Sequence, residues 1–283
     1  PPEVQERINL KKMAQEFEAN PQYWLSKAKE ANKKDALELF LKFFSKIIPL
    51  LRQKKSWQSL FLIAETLHHI KSLRKDILEE IGINDPIAFV WKEQLYLFVR
   101  DLLGEKPSVL KGLEGVFSVF GELGLEALFK MLLETKEPSK RKALFELIFE
   151  QGEEALERFR SIAQDPTKSA PVQALALQAL GRAGDVDDAE LVERFLTHSQ
   201  PELRSEAITA LVRIEGEKVL KDIMPLLKDP EPSVRRRVIA VLGGFAHKIK
   251  TAREKLQKLV FDQEESPFLR ATSLRELESA FWE

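Results

Sequence analysis

The chain has no cysteine. That excludes disulfides, thiolate nucleophiles and Cys-ligated zinc, and it is neutral about compartment, because a cytosolic protein needs none. Histidine is scarce as well, with four in 283 residues. His68 and His69 are adjacent, and neighbours on a helix point about 100° apart, so the two cannot face one metal. His198 and His247 stand alone in the sequence. Net charge is nearly absent: 44 Lys+Arg against 45 Asp+Glu leave −1, with +4 over residues 1–100 and −5 over 101–283. No global field therefore draws the chain onto nucleic acid or anionic lipid. Long apolar runs are missing too. "ALELFLKFFSKIIPLL" (36–51) is broken by Lys42 and Lys46 and falls short of the ~20 residues of a membrane span. The opening "PPEVQERINLKKMAQEF" has no apolar signal region and no initiating Met, which predicts a cytoplasmic piece of a longer protein. Nucleophile motifs, phosphate-cradling glycine loops and metal-binding helix signatures are also lacking, so no catalytic, cofactor or metal site is predicted.

What the chain does have is repetition. With a shift of 31, Leu203, Ala207, Ile208, Ala210 and Leu211 fall on Val234, Val238, Ile239, Val241 and Leu242. These positions form one buried stripe of an α-helix. The same shift pairs Val192 with Ile223, Phe195 with Leu226 and Leu196 with Leu227, so each copy is two helices. Upstream the stripe recurs at Val172, Ala176, Leu177, Ala179 and Leu180, then, one residue out of step, at Leu144, Phe145, Leu147 and Ile148. A looser copy opens at Pro107 and keeps Leu113, Val116 and Phe117; a last one holds Leu269, Leu274 and Leu277.

Punctuation agrees with this spacing. Pro107, Pro138, Pro201, Pro232 and Pro267 open first helices, where a missing N–H costs nothing and a nearby Asp or Ser is expected to cap. Gly121, Gly152, Gly184 and Gly216 follow the first helices, where a left-handed turn favours glycine. A unit of about 31 residues cannot bury two apolar helix faces by itself and must stack on its neighbours. The expected fold is all-α: an α-solenoid, a right-handed superhelix of stacked antiparallel helix pairs.

The helices "DPEPSVRRRVIAVLGGF" and "SQPELRSEAITALVRIEG" resemble the "D-P-x-V-R-x-x-A-x-x-A-L-G" pattern of the HEAT-repeat superfamily, most of all its short bacterial bilin-lyase-type or E–Z-type repeats. The likeness covers about the last 145 residues. Gln173 departs from it, standing where other copies have Arg204, Arg235 and Arg270, as do Ser273 and Glu276 at otherwise apolar places. The resemblance implies a ladder in which such arginines bind Asp or backbone carbonyls of neighbouring units, with Asp229 placed to take part. Among functions it implies a scaffold first. The alternatives are an alkyl-base DNA glycosylase type of enzyme or a relative of bilin lyases.

Residues 1–103 are expected to form longer, aromatic-rich helices at about 3–19, 22–31, 35–54, 56–71 and 87–103, continuous with the repeats of 104–283, which are best defined over 170–245. The Gly, Asn, Asp and Pro of "GINDP" (82–86) mark the best internal break. Lys42, Lys46, Arg52, Lys54, Lys55, Lys71, Arg74 and Lys75 could track a phosphate backbone. Trp57, Phe61 and Phe44, however, sit on the core stripe and not on a stacking platform, which argues against nucleic acid. "GDVDDAE" (184–190) reads as a loop and helix cap with acid in the first turn. Non-enzymatic binding of a protein or peptide partner on a concave wall of second helices is the expected role. Glu190, Glu193, Arg194, Lys218 and Lys221 are the chosen contacts there, and Arg236 and Arg237 are the outward-pointing pair beside them. Phe281 and Trp282 at the C-terminal edge are candidates for a cap or for self-association.

Overall fold

The computed structural model describes residues 2–104 and 117–282. Every regular element among them is helical, so the all-α class holds. Two compact units divide the chain, Pro1–Gly152 and Glu153–Glu283.

The first unit opens with α1 (Pro2–Ala19), α2 (Pro21–Glu30), α3 (Lys34–Gln53) and α4 (Trp57–Leu73), all close to the predicted ranges. A short α5 (Lys75–Glu80), which the apolar pattern does not announce, precedes α6 (Pro86–Leu103). Asp85 caps α6 by accepting the N–H groups of Ile87 and Ala88 at 2.8 and 3.2 Å. The break at 82–86 thus separates two helices inside this unit. A 3-10 turn at Phe117–Phe120 leads to α7 (Gly121–Glu134) and α8 (Pro138–Phe149). Pro107, Leu113 and Val116 of the loosest copy lie outside the described residues, and Phe117 is buried.

The wide apolar face of α3 is used as expected, because this helix packs on α1, α4 and α6. Leu39 is the exception on its flank and stays 69% exposed. Aromatic rings fill the centre of the unit. Phe17 meets Phe44 with centroids 6.1 Å apart, and Trp91 meets Phe98 and Phe120 at 5.3 and 5.0 Å. Trp57 and Phe61 lean on Phe98, so the rings predicted for the core are held there.

The second unit is a stack. Its first helices are α10 (Ala170–Ala183), α12 (Pro201–Glu215), α14 (Pro232–Ala246) and α16 (Pro267–Trp282), each packed on the next. The second helices are α9 (Glu153–Gln164), α11 (Ala189–Glu193), α13 (Leu220–Ile223) and α15 (Lys250–Val260). Two of these are shorter than the repeat suggests: α11 continues as a 3-10 turn at Arg194–Thr197, and α13 as one at Met224–Lys228. Pro225 lacks an N–H and suits that tighter winding.

The predicted stripes are largely buried, with Val172 and Val241 half-buried and Leu274 46% exposed. Ala176, Leu177, Ala179 and Leu180 are fully covered, as are Leu203, Ala207, Ile208 and Leu211 and then Val234, Val238 and Leu242. All four turn glycines have positive φ, and Gly184 at φ 71° and ψ 21° is left-handed and ends α10. The expected side-chain cap forms at α16, where Ser266 Oγ accepts the Leu269 N–H at 3.3 Å, but not at α10, α12 and α14, which Ser169, Gln200 and Glu231 cap with no side-chain bond. The Asp before the proline serves the loop instead, since Asp229 Oδ1 accepts the Glu231 N–H at 2.9 Å.

Close approach, not only apolarity, sets how the first helices meet. A Cβ on Gly181 would lie 2.5 Å from Ala210 Cα, so α10 and α12 touch nearly backbone to backbone. At Gly243 the same space is filled by Glu276, whose Cβ would be 2.8 Å from an added methyl. This explains the charged residue at an otherwise apolar place. Ser273, the other departure, is buried and donates to the Leu269 carbonyl at 3.0 Å. Gly181→Ala is expected to destabilise the chain by about 1–3 kcal/mol through overpacking. Gly244→Ala, which meets nothing within 4 Å, is expected to be neutral or stabilising by up to about 1 kcal/mol. Urea denaturation followed by circular dichroism checks both.

Candidate partner-binding face

Buried arginines tie each loop to the next and so fix where the second helices stand. Arg204 Nε and Nη2 bind the two Asp229 oxygens at 2.7 Å each, while Nη1 donates to the carbonyls of His198 and Ser199 at 2.8 and 3.1 Å. One unit on, Arg235 grips Glu265 at 2.8 and 3.0 Å and donates to the carbonyls of Asp229 and Pro230. Gln173, at the corresponding place, keeps only the second half of this pattern: its Nε2 donates to the carbonyls of Ala163 and Asp165 at 3.2 Å. Arg270 reaches Gln263 at 3.2 Å, and its Nε is buried without a partner. The ladder expected from the repeat is therefore present at two seams.

A third pairing was not legible as such. Arg160 of α9 binds Asp188 through Nε and Nη2 at 2.7 and 3.1 Å. In "GDVDDAE" only Asp185 acts as a cap, accepting the Asp187 N–H, whereas Asp188 is buried and belongs to Arg160. Arg160 Nη2 also reaches Asp185 at 3.2 Å, and the pattern of charge in a loop gives no hint that a residue two helices away will claim two of its acids.

Burial alone pushes the Asp229 carboxyl up, but the Arg204 hydrogen bonds, the Glu231 N–H and the nearby positive charges outweigh it and hold the group below the ordinary carboxylate value. Glu265 is treated the same way by burial, Arg235 and the Ser266 N–H. Glu206 on α12 goes the other way. Burial raises it, and the charges of Arg237 and Arg213 only partly offset that.

The second helices and their 3-10 continuations carry the residues singled out from the sequence. Glu190 and Arg194 are exposed and pair with each other at 2.9 Å. Glu193 is exposed and its carboxylate gathers with those of Glu215 and Asp222, all within 4.8 Å of one another. Clusters of this kind are common on protein surfaces without a ligand, and no function is assigned to it. Lys218 and Lys221 are exposed. Arg236 and Arg237 are exposed on the first helix α14, a different element, and Arg237 Nε reaches Ser205 Oγ at 3.5 Å.

Two grooves run beside these residues. The larger, about 840 Å³, lies between the 220–228 segment and α15 and has Lys221 on its wall. Its other lysines, Lys228, Lys255 and Lys258, were not singled out from the sequence. Their only signal is spacing: Lys255 and Lys258 are three apart on one helix and share a face. The smaller groove, about 470 Å³, lies between the end of α9 and the 191–198 segment and has Arg194 on its wall.

In the first unit the basic group is occupied. Lys42 pairs with Glu38, Arg52 with Asp101, Lys54 with Glu18, Lys71 with Asp85 and Lys75 with Glu79. Arg74 donates to the Lys29 carbonyl at 2.9 and 3.3 Å, and neither Lys46 nor Lys55 is free. At the far end of the chain, Phe261 and Phe268 are 80% and 63% exposed. The side chains of Phe281 and Trp282 lie outside the described residues.

No helix of the described residues is long and apolar enough to cross a membrane. The family described as HEAT repeats matches residues 125–212 and, overlapping, 156–230. No curated protein matches the chain. Solved structures similar to it include an engineered protein, 16% identical over 88% of this chain and 71% of its own, with a TM-score of 0.40. A second engineered protein is 18% identical over 77% and 96%, with a TM-score of 0.39. A designed armadillo repeat protein in complex with the peptide (KR)4 is 15% identical over 67% and 94%, with a TM-score of 0.38. All three likenesses are shallow.

Breaking one seam tests the ladder. Arg204→Met, which strands a buried Asp229, is expected to cost about 3–5 kcal/mol at neutral pH, and the double change Arg204→Met/Asp229→Leu less than the two single losses added together. Carboxyls held low stabilise above their unfolded pKa and lose that contribution as pH falls through the folded value. The parent should therefore lose stability on acidification below the ordinary carboxylate range, and Asp229→Asn should lose less. Denaturation at a series of pH values checks the sign.

Proposed function

We propose that this chain, whose residues 125–230 match the family described as HEAT repeats, is a non-enzymatic scaffold or regulatory module that holds a protein or peptide partner. The binding wall is the face of the second helices, taken as the concave side of the stack. A cytoplasmic setting belongs to the same reading.

The observation that carries it is the state of the charges. The eight basic side chains of the first unit that could have tracked a phosphate backbone are engaged. Among the described residues the ammonium groups of Lys218 and Lys221 have no ion pair or hydrogen bond, and the second-helix segments also carry the exposed carboxylate of Glu193. Free charge of mixed sign beside grooves suits a protein surface. The glycosylase-type alternative would want aromatic rings exposed to a flipped base, and no ring lines the larger groove. Partner contacts are assigned to Glu190, Glu193, Arg194, Lys218 and Lys221, with Arg236 and Arg237 as a separate patch on the first helix. Self-association through the C-terminal edge, where Phe261 and Phe268 are exposed, is the secondary reading.

Affinity capture of the parent protein from its native lysate, with and without nuclease, tests the scaffold. A stoichiometric protein partner that survives nuclease is expected. Reversing the charges of Glu190, Glu193, Arg194, Lys218 and Lys221 together should reduce its recovery at least about tenfold, about 1.4 kcal/mol of binding. Partners that vanish with nuclease, or excision of alkylated bases by the purified chain, would overturn the reading. Sedimentation over a concentration series checks the edge, with a strictly monomeric chain counting against self-association.

A further inference from the structure

We infer that the groove between the 220–228 segment and α15 binds an extended acidic peptide segment with apolar side chains; this deepens the scaffold reading and rests on it. The walls carry Lys221, Lys228, Lys255 and Lys258, and among the described residues none of their ammonium groups makes an ion pair or hydrogen bond. Nearby lysines are neutralised, Lys250 at the start of α15 by Glu254 and Lys248 in the turn before it by Glu217. Four free ammonium groups around one cleft repel one another, and each gains from a carboxylate brought between them.

The acids lining the groove do not cancel these charges. Asp229 and Glu265 are bound in full by Arg204 and Arg235, and Asp262 turns one oxygen back to the Glu264 N–H at 3.0 Å. Only Asp262 and Glu264 keep negative charge without an ion pair, and both follow α15 at one end of the site.

Below the lysines the floor is apolar, made by Met224, Pro225, Leu227 and Leu259. Met is adaptable and suits side chains of varied shape. Lysine is a point charge on a flexible stem, so it meets carboxylates at variable positions and does not impose the fixed fork of arginine. The groove, about 840 Å³, is open along its length, which suits a chain laid across it more than an enclosed small molecule. A nucleic-acid strand fits less well. No aromatic ring lines the groove for a base to stack on, and acid at one end opposes a continuous run of phosphates.

The test uses the full chain and three labelled probes: a short peptide of alternating Glu and Leu, its Lys/Leu counterpart, and single-stranded oligothymidylate. Fluorescence anisotropy at low salt is expected to show the Glu/Leu peptide bound at least about tenfold more tightly than either other probe, and weakening as salt screens the charges. Lys255→Glu/Lys258→Glu changes two exposed side chains, should leave the thermal transition in place, and is expected to weaken the Glu/Leu peptide at least about tenfold. Equal binding of both peptides, tighter binding of oligothymidylate, or unchanged affinity in the double variant would overturn the inference. The scaffold fails separately. A captured partner kept by the double variant but lost on charge reversal at Glu190, Glu193, Arg194, Lys218 and Lys221 would remove the groove and leave the scaffold. A chain that binds the Glu/Leu peptide but captures no protein would do the reverse.

Discussion

A pair of short amphipathic helices has two apolar faces and no way to cover both. Everything in Glu153–Glu283 follows from that shortage. Stacking is the only way to close the core, so apolar residues recur at a fixed step, and each first helix lies against the next. The loops are then brought into register as well. Once they are stacked, an arginine in the first turn of one first helix faces an acid in the loop before the next, and a polar seam forms beside the apolar one. The charged seam contributes alignment more than net stability, since a buried pair recovers little beyond its own desolvation.

The sequence was legible wherever a signal is local and periodic. Apolar spacing placed α10, α12, α14 and their cores, and the turn glycines have the positive φ that leaves few other residues, with Gly184 the left-handed cap expected while Gly216 ends α12 at ψ −130° and Gly121 opens α7. The reading weakened where the deciding contact is distant. Nothing in the run around Asp188 announces Arg160, and nothing near Glu276 announces the space above Gly243. Winding was missed as well, because 3-10 turns after α11 and α13 keep the same apolar residues inward as an α-helix would.

The candidate site divides in the same way. That the second helices would carry exposed charge could be read from which residues lie off the stripe, and Lys221 came from that argument. The groove could not be read, because it joins the 220–228 segment to α15 through space, and the neutralising partners of surrounding acids decide its sign. The first unit spends its basic group internally, while the second leaves lysines open on one face.

The contacts at Gly181 and Gly243 also give the stack unequal joints. At the first, Ala210 meets the glycine almost backbone to backbone, and no side chain is available to slide or re-pack when the helices are bent. At the second, the long side chain of Glu276 fills the gap and can change rotamer under load. Under a bending force the array therefore yields first near its C-terminal helix and last between α10 and α12. A partner seated beside α15 would lie next to the compliant joint, where its grip and the curvature of the stack are mechanically linked.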